Sequence, residues 1–359
     1  MSQGHLNLEI FWDGTAVTDV AIRNARPQAS RLLVGRTPAD ALAVVPLLFS
    51  LCRHGQTVAA QHALAAAEGR EDVDSRPSLV ALPAEAAQEH LWRLLLDWPA
   101  LLGFEPAHNL FAAWHRRLAE VAVRGDWSGT GRAFAAFCER ELLGTDAAQW
   151  LASEGQSRID RTSVCGKILA ELENETAAPH ITPFLPDRLD ARTYYRAMAA
   201  DLDAGFARAP TWQREAAETG PYARWRQIRP VAWESSATAA RVLARMADLA
   251  FLALEITGRL PSRRRCDAFS PSPETGFAVV ETARGLLIHY VRLEQSRIAD
   301  YLIVAPTEWN FHPAGAFRNG FVGLSAWDAG TLERQARRLA LALDPCVPFK
   351  INVRLAGHA

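Results

Sequence analysis

Between Glu281 and Asn310 the chain reads ETARGLLIHYVRLEQSRIADYLIVAPTEWN, and its polar residues fall where they could act together. Leu286, Ile288, Tyr290 and Val291 through Leu293 form one apolar run. Ile298 to Val304 form another, beyond the polar Glu294-Gln295-Ser296. Two such runs around a polar turn predict a β-hairpin. Arg284 precedes the first run and Pro306-Thr307 follow the second, so the hairpin would bring a guanidinium and a hydroxyl to one end. Both can donate hydrogen bonds to something anionic.

The elements around this block are mostly helical. Residues 5–10 alternate in polarity and Asp13-Gly14 is a strong turn signal, which predicts an N-terminal hairpin continuing over Val17 to Ile22. Thr37-Pro38-Ala39-Asp40 has the capping threonine, first-turn proline and acid of a helix start. The chain then reads as helical to Glu68, with breaks expected near Pro46 and at Arg53 to Gly55. Residues 69–82 read as a polar link. An amphipathic helix over 85–98 ends at Pro99 and Gly103. Further helices are predicted at about 107–124, 132–143, 166–175, 191–207 and 235–258. A glycine-rich loop after Phe311 leads to a last helix from Thr331 to about Leu343. The fold class is therefore mostly α with small β elements, an α+β helical bundle with an N-terminal hairpin and a C-terminal hairpin region.

With 359 residues, 49% hydrophobic and 22% charged, the chain can bury a large core. Its formal net charge of -1 recruits neither nucleic acid nor an anionic membrane. No apolar run is long enough to suggest a membrane span, and MSQGHLNLEIFWDG lacks the features of a signal peptide. Five scattered cysteines, Cys52, Cys138, Cys165, Cys266 and Cys346, read as reduced thiols in a cytoplasmic protein. Taken alone, Cys52 or Cys346 is a packed core thiol, and Arg284 beside Gly285 could simply anchor an acidic side chain. A thiolate-nucleophile enzyme would need a base near Cys52, where only His54 is close in sequence. Phosphate-binding glycine loops, paired catalytic carboxylates and zinc spacings are absent.

The order of these features resembles the large subunit of nickel–iron hydrogenases. The Arg284–Asn310 block resembles that family's A-P-R-G…L-x-H…V-x-P-T-x-W-N block, with Ala283 in place of its proline and His289 at its histidine. Gly4-His5-Leu6 resembles the E-G-H-L opening, and Gly35-Arg36-Thr37-Pro38 leads to Cys52 as the family's G-R-D-P leads to its first cysteine pair. Cys52 falls on the second cysteine of that pair and Phe49 on the first; Gln56 stands at a usual histidine. The ending DPCVPFKIN resembles D-P-C-x-x-C-x-x-H, with Cys346 kept, Phe349 at the second cysteine and Asn352 at the histidine.

The resemblance implies metal ligands at Cys52 and Cys346, with contacts to cyanide or other diatomic ligands from Arg284, Pro306 and Thr307. His5, Arg36, Gln56 and His289 would support them. Half the thiolates are replaced by phenylalanine, so nickel would be under-ligated and hydrogen chemistry is not expected. LFSLC and EHLWRLLLDWP, at residues 48–52 and 89–99, resemble a narrower family, the HupK/HoxV-type hydrogenase expression and maturation proteins. That likeness implies a non-catalytic scaffold that transiently holds iron with cyanide and carbon monoxide ligands, without nickel. Its partners would be a small HypC-type chaperone and the large-subunit precursor. The alternative is a cofactor-free interaction or sensory subunit with a hydrogenase-like fold. Residues 1–359 are expected to form a single domain: the hairpin and Cys52 helices over 1–70, a helical bundle over 71–260, and the β block with the Cys346 tail over 261–359.

Overall fold

The structure is a computed structural model that describes residues 4–70, 73–74, 77–152, 160–172, 182–228 and 236–356. The end of the chain beyond Ala356 and the expected helix extension over 173–175 lie outside the described residues. Helices predominate, with one three-stranded and one four-stranded sheet.

Strands β1 (Leu6–Trp12) and β2 (Val17–Asn24) form the expected antiparallel hairpin. Its loop is longer than a two-residue Asp-Gly turn. Asp13 Oδ1 accepts from the Thr15 and Ala16 N–H groups at 2.8 Å, which closes the loop over residues 13–16. Thr37 caps α1 (Pro38–Leu48) as predicted, accepting from the Asp40 N–H at 3.2 Å. The helix runs through Pro46, because a proline in the last turn costs only one backbone bond there. The break falls instead at Phe49 to Cys52, and α2 (Arg53–Ala67) begins directly after Cys52.

Residues 77–102 make one helical rod, which begins five residues before the expected end of the polar link. It consists of a wide turn at Pro77–Ala81, α3 (Leu82–Trp92), a second wide turn at Arg93–Asp97 and α4 (Trp98–Leu102). Pro99 does not end it. The wide turn, in which the Trp98 N–H reaches back to the Arg93 carbonyl, accommodates a residue with no N–H to give. Gly103, at φ 80°, is the stop.

The bundle continues with α5 (His108–Arg124), α6 (Gly131–Phe137), α7 (Ala147–Ala152), α8 (Val164–Leu172), α9 (Ala191–Met198) and α10 (Pro221–Ile228). At its centre lies α11 (Ala237–Ile256), capped by Ser236 and buried nearly all round. An all-round apolar helix must be an inner one. Its buried charges are each matched: Arg241 by Glu218, Arg245 by Asp344, Asp248 by Arg224, and Glu255 by Arg265.

The hairpin block is part of a larger, four-stranded sheet. β3 (Cys266–Phe269) and β4 (Thr275–Thr282) precede β5 (Gly285–Glu294) and β6 (Arg297–Val304) in one antiparallel sheet. Both faces are covered, with Phe277, Val279 and Ile288 in one apolar cluster and Ala278, Val291 and Tyr301 in another. Helix α2 crosses the sheet so closely that a Cβ on Gly276 would lie 1.8 Å from the Ala63 carbonyl oxygen. This contact sets Cys52, at the start of α2, over the β4–β5 turn that carries Arg284.

After β6 come α12 (Pro306–Asn310), α13 (Ala316–Asn319) and α14 (Ala329–Leu343), which ends at Asp344 with φ 57°. The final segment is not a loose tail. It forms β7 (Phe349–Leu355), parallel to β1, with Phe349 opposite Leu6 and Asn352 opposite Glu9.

Candidate functional site

Four of the segments that line one cavity of about 20 Å³, room for about one water molecule, carry residues picked out in the sequence. Cys52 and Gln56 enter from α2, Arg284 from the β4–β5 turn, and Pro306, Thr307 and Cys346 from the two segments that follow. Arg284 and Thr307 therefore share one end of the sheet, as the hairpin register requires: Thr282 pairs with Gly285 and Ile288 with Val304.

Thr307 is committed to the sulfur side of the cavity. Its hydroxyl donates to Cys346 Sγ at 3.1 Å, and its oxygen accepts from the Cys346 N–H at 3.2 Å. Asn310, one helical turn on, donates to the Leu343 carbonyl at 3.2 Å and accepts from the Thr219 N–H at 2.9 Å. Helix α12 thus clasps the segment that carries Cys346.

Arg284 is also engaged. It is 5% exposed and lies against the carboxylates of Glu89 and Asp344, the latter at 3.2 Å. Asp344, two residues before Cys346, further receives Arg93 at 2.6 Å and Arg245 at 2.9 Å. Burial alone would raise its carboxyl, but the charges of Arg93, Arg284 and Arg245 hold it far below the usual carboxylate range. Burial raises Glu89, with Arg284 opposing. Arg284 is therefore a structural counter-ion as much as a donor to the cavity.

Cys52 occupies the N-cap position of α2, where exposed N–H groups ordinarily favour a thiolate. Glu85 takes them instead: its carboxylate accepts from the His54 N–H at 2.6 Å and the Gly55 N–H at 3.0 Å. Burial pushes the Cys52 thiol up to about 12, with the charges of Cys346 and Glu85 adding to it. Burial likewise pushes the Glu85 carboxyl up to about 7, against its two backbone donors. The thiol is held protonated until something replaces its proton.

Gln56 and His289, which stand on positions picked out in the sequence, meet behind the cavity. His289 Nε2 lies 2.9 Å from Gln56 Oε1, and Nδ1 lies 2.8 Å from the Tyr301 hydroxyl. His5 and Arg36 are not brought to the cavity. Arg36 is exposed, with its Nε donating to the Leu32 carbonyl at 2.7 Å. His5 precedes β1 and contributes its carbonyl to the Ala25 N–H. Neither phenylalanine reaches the cavity: Phe49 packs with the Val45 and Tyr301 cluster, and Phe349 with the core of the three-stranded sheet. Arg26, Glu85 and Glu89 line the cavity without having been legible in the sequence. All five cysteines are unpaired, and Cys138 and Cys165 lie buried in the helical bundle. Among the described residues no group of three or more His, Cys, Asp or Glu side chains could hold a metal ion, and no helix is long and apolar enough to cross a membrane.

Known proteins share both fold and sequence with this arrangement. Residues 236–346, which include Arg284, Thr307 and Cys346, match the family described as nickel-dependent hydrogenase. Among solved structures, the nickel–iron–selenium hydrogenase of Desulfovibrio vulgaris Hildenborough in its reduced state superposes with a TM-score of 0.58 and 17% identity, over 94% of each chain. That likeness shows the fold. Hydrogenase expression/formation protein HoxV of Cupriavidus necator is 32% identical over 92% of each chain. Hydrogenase expression/formation protein HupK of Rhizobium leguminosarum bv. viciae is 32% identical over 100% of this chain and 99% of its own. HupK of Bradyrhizobium diazoefficiens is 30% identical over 99% of both chains. With this full-length similarity and a hydrogenase-type fold around the Cys52–Cys346 cavity, the chain belongs to the HupK/HoxV family of hydrogenase expression/formation proteins.

Proposed function

We propose that the protein is a non-catalytic scaffold of nickel–iron hydrogenase assembly, which transiently holds an iron bearing cyanide and carbon monoxide and passes it to the large-subunit precursor. The observation that carries this reading is the cavity itself, where Cys52 and Cys346 meet Thr307 and Arg284 and no further thiol lines the wall. Two thiols cannot complete the four-thiolate set of a nickel site. An iron that arrives with three diatomic ligands has fewer positions to fill, and soft thiolates suit it. The thiols must lose their protons on loading. The cavity must also open, since about 20 Å³ does not hold such a fragment. The relatives' names, hydrogenase expression/formation proteins, support a maturation role. A small HypC-type chaperone, acting in the cytoplasm, is the partner this reading assigns for delivery, and it could supply a further thiolate.

One observation favours the alternative of a cofactor-free interaction or sensory subunit: both Arg284 and Thr307 already have partners within the chain. Anaerobic purification from a maturation-competent host separates the two. The scaffold reading expects iron with carbonyl and cyanide infrared bands, no stoichiometric nickel and no hydrogen-dependent dye reduction. Cys52→Ala should abolish the bands. A chaperone-bound preparation without them would leave only the interaction-subunit reading.

A further inference from the structure

Beside the Cys52–Cys346 cavity lies a larger cleft of about 140 Å³, walled by Arg31, Val34, Phe49, Arg208, Tyr301 and Glu308 among others. The two spaces share two lining residues, Arg26 and Ala305. Ala305 has no side chain that can move, so Arg26 is the adjustable partition between them. The Arg26 guanidinium is pinned from the outer side by Glu308, at 2.6 Å from Nη1. Asn24 Nδ2 lies 3.5 Å from the same carboxylate oxygen. Arg284, by comparison, is clamped between two buried carboxylates and anchors the segment leading to Cys346.

We propose that Arg26, and not Arg284, is the residue that meets the anionic ligands of whatever is seated between Cys52 and Cys346. In this role the Arg26–Glu308 pair is the gate that joins the outer cleft to the inner cavity. The inference rests on the carrier reading for the identity of the cargo, but not for the placement of the charge. Three features combine in Arg26: it faces both thiols' cavity, it answers to a single carboxylate, and it lies on the route by which the cavity can enlarge. A guanidinium swinging from Glu308 towards an incoming anion exchanges one charge-assisted contact for another, so the gate opens at little cost when the visitor is anionic. A neutral visitor offers no such exchange. The pair therefore discriminates by charge as well as by size.

The test uses the purified full chain without cargo and compares alkylation by anionic iodoacetate and neutral iodoacetamide, residue by residue, by mass spectrometry. In both reactions the thiolate sulfur bonds to the methylene carbon as iodide leaves, so the rate ratio cancels the thiolate fraction. Arg26→Gln should lower the iodoacetate-to-iodoacetamide ratio at Cys346 and Cys52 roughly tenfold, as loss of a nearby cation predicts. Arg26→Lys should restore most of it, and Glu308→Gln should raise it above wild type. Cys266, outside both spaces, reports any general effect. Ratios at Cys346 and Cys52 that stay within about twofold of wild type in Arg26→Gln, with thermal melting unchanged, overturn the proposal. Shifted ratios in a protein that never carries carbonyl or cyanide bands would retain Arg26 as the anion donor and remove the iron cargo.

Discussion

His289 and Gln56 lie 233 residues apart in the chain and 2.9 Å apart behind the thiol cavity. With Gln56 Oε1 as acceptor, His289 carries its proton on Nε2, and Nδ1 accepts from Tyr301. Burial lowers the imidazole to about 3, so it stays neutral at any ordinary pH. The pair braces α2 against β5 one helical turn after Cys52.

That lowered value has a pH signature. Between about 3 and the unfolded value near 6.5, the unfolded chain binds a proton that the folded chain does not. Stability from this residue is thus present above about 6.5 and declines as the pH falls, by up to about 1.4 kcal/mol per pH unit. Glu85, raised to about 7, works in the opposite sense above its unfolded value and offsets part of the slope. Urea unfolding at pH 6.5 and 4.5 should show a loss smaller by about 2 kcal/mol in His289→Gln than in the wild type. An equal loss in both would mean that His289 already titrates normally when folded.

Asp344 is the charge to which the Cys346 segment is tied. Asp344→Asn keeps the shape and tolerates the positive φ, but leaves Arg93, Arg245 and Arg284 short of one buried carboxylate. Removing one partner from such a network costs about 3–5 kcal/mol. Chemical denaturation should register a loss of that order. Arg284→Leu should show a comparable loss, making Arg284 a poor isolated probe of ligand binding.

Glu85 occupies the helix end that Cys52 would otherwise use. Glu85→Gln removes a negative charge from the cavity while keeping one acceptor for the His54 and Gly55 N–H groups. The Cys52 thiol should fall from about 12 by up to about one unit, burial remaining the larger cause. Iodoacetamide alkylation of Cys52 at pH 8 should accelerate several-fold, with Cys138 unchanged. No acceleration would show that burial alone sets the thiol.

The C-terminal strand predicts a structural cost for shortening the chain. Asn352 sits in mid-strand, and beyond it Val353 pairs with Ile10, Arg354 with Phe11 and Leu355 with Trp12. Arg354 also reaches Glu9 at 2.6 Å. A chain ended at Asn352 should lose about 1–3 kcal/mol, a few backbone hydrogen bonds at their usual net value. It should melt earlier than the full chain. Equal melting temperatures would mean that β7 contributes nothing past Asn352.

The sequence by itself determined the features set by neighbours along the chain. The Asp13-Gly14 reversal, the Thr37-Pro38 helix start, the β5–β6 hairpin and the meeting of Arg284 with Thr307 all follow from local turn chemistry and strand length. The ordered polar motifs were enough to point to the hydrogenase-like fold and to Cys52 and Cys346. Only the tertiary structure decided what those residues do to one another. A buried arginine reads like a surface one until its counter-ions are known, and those of Arg284 come from α3 and from the end of α14. The charge of Glu85, 33 residues away on another helix, adds to what burial does to the Cys52 thiol, and the gate depends on Arg26 and Glu308 from opposite ends of the chain. The parallel pairing of β7 with β1 likewise joins the two ends of the chain, and no local pattern encodes which remote strand a short apolar run will join. Burial and charge balance are properties of the assembled packing, and here they decide how firmly Cys52 holds its proton and which arginine remains able to move.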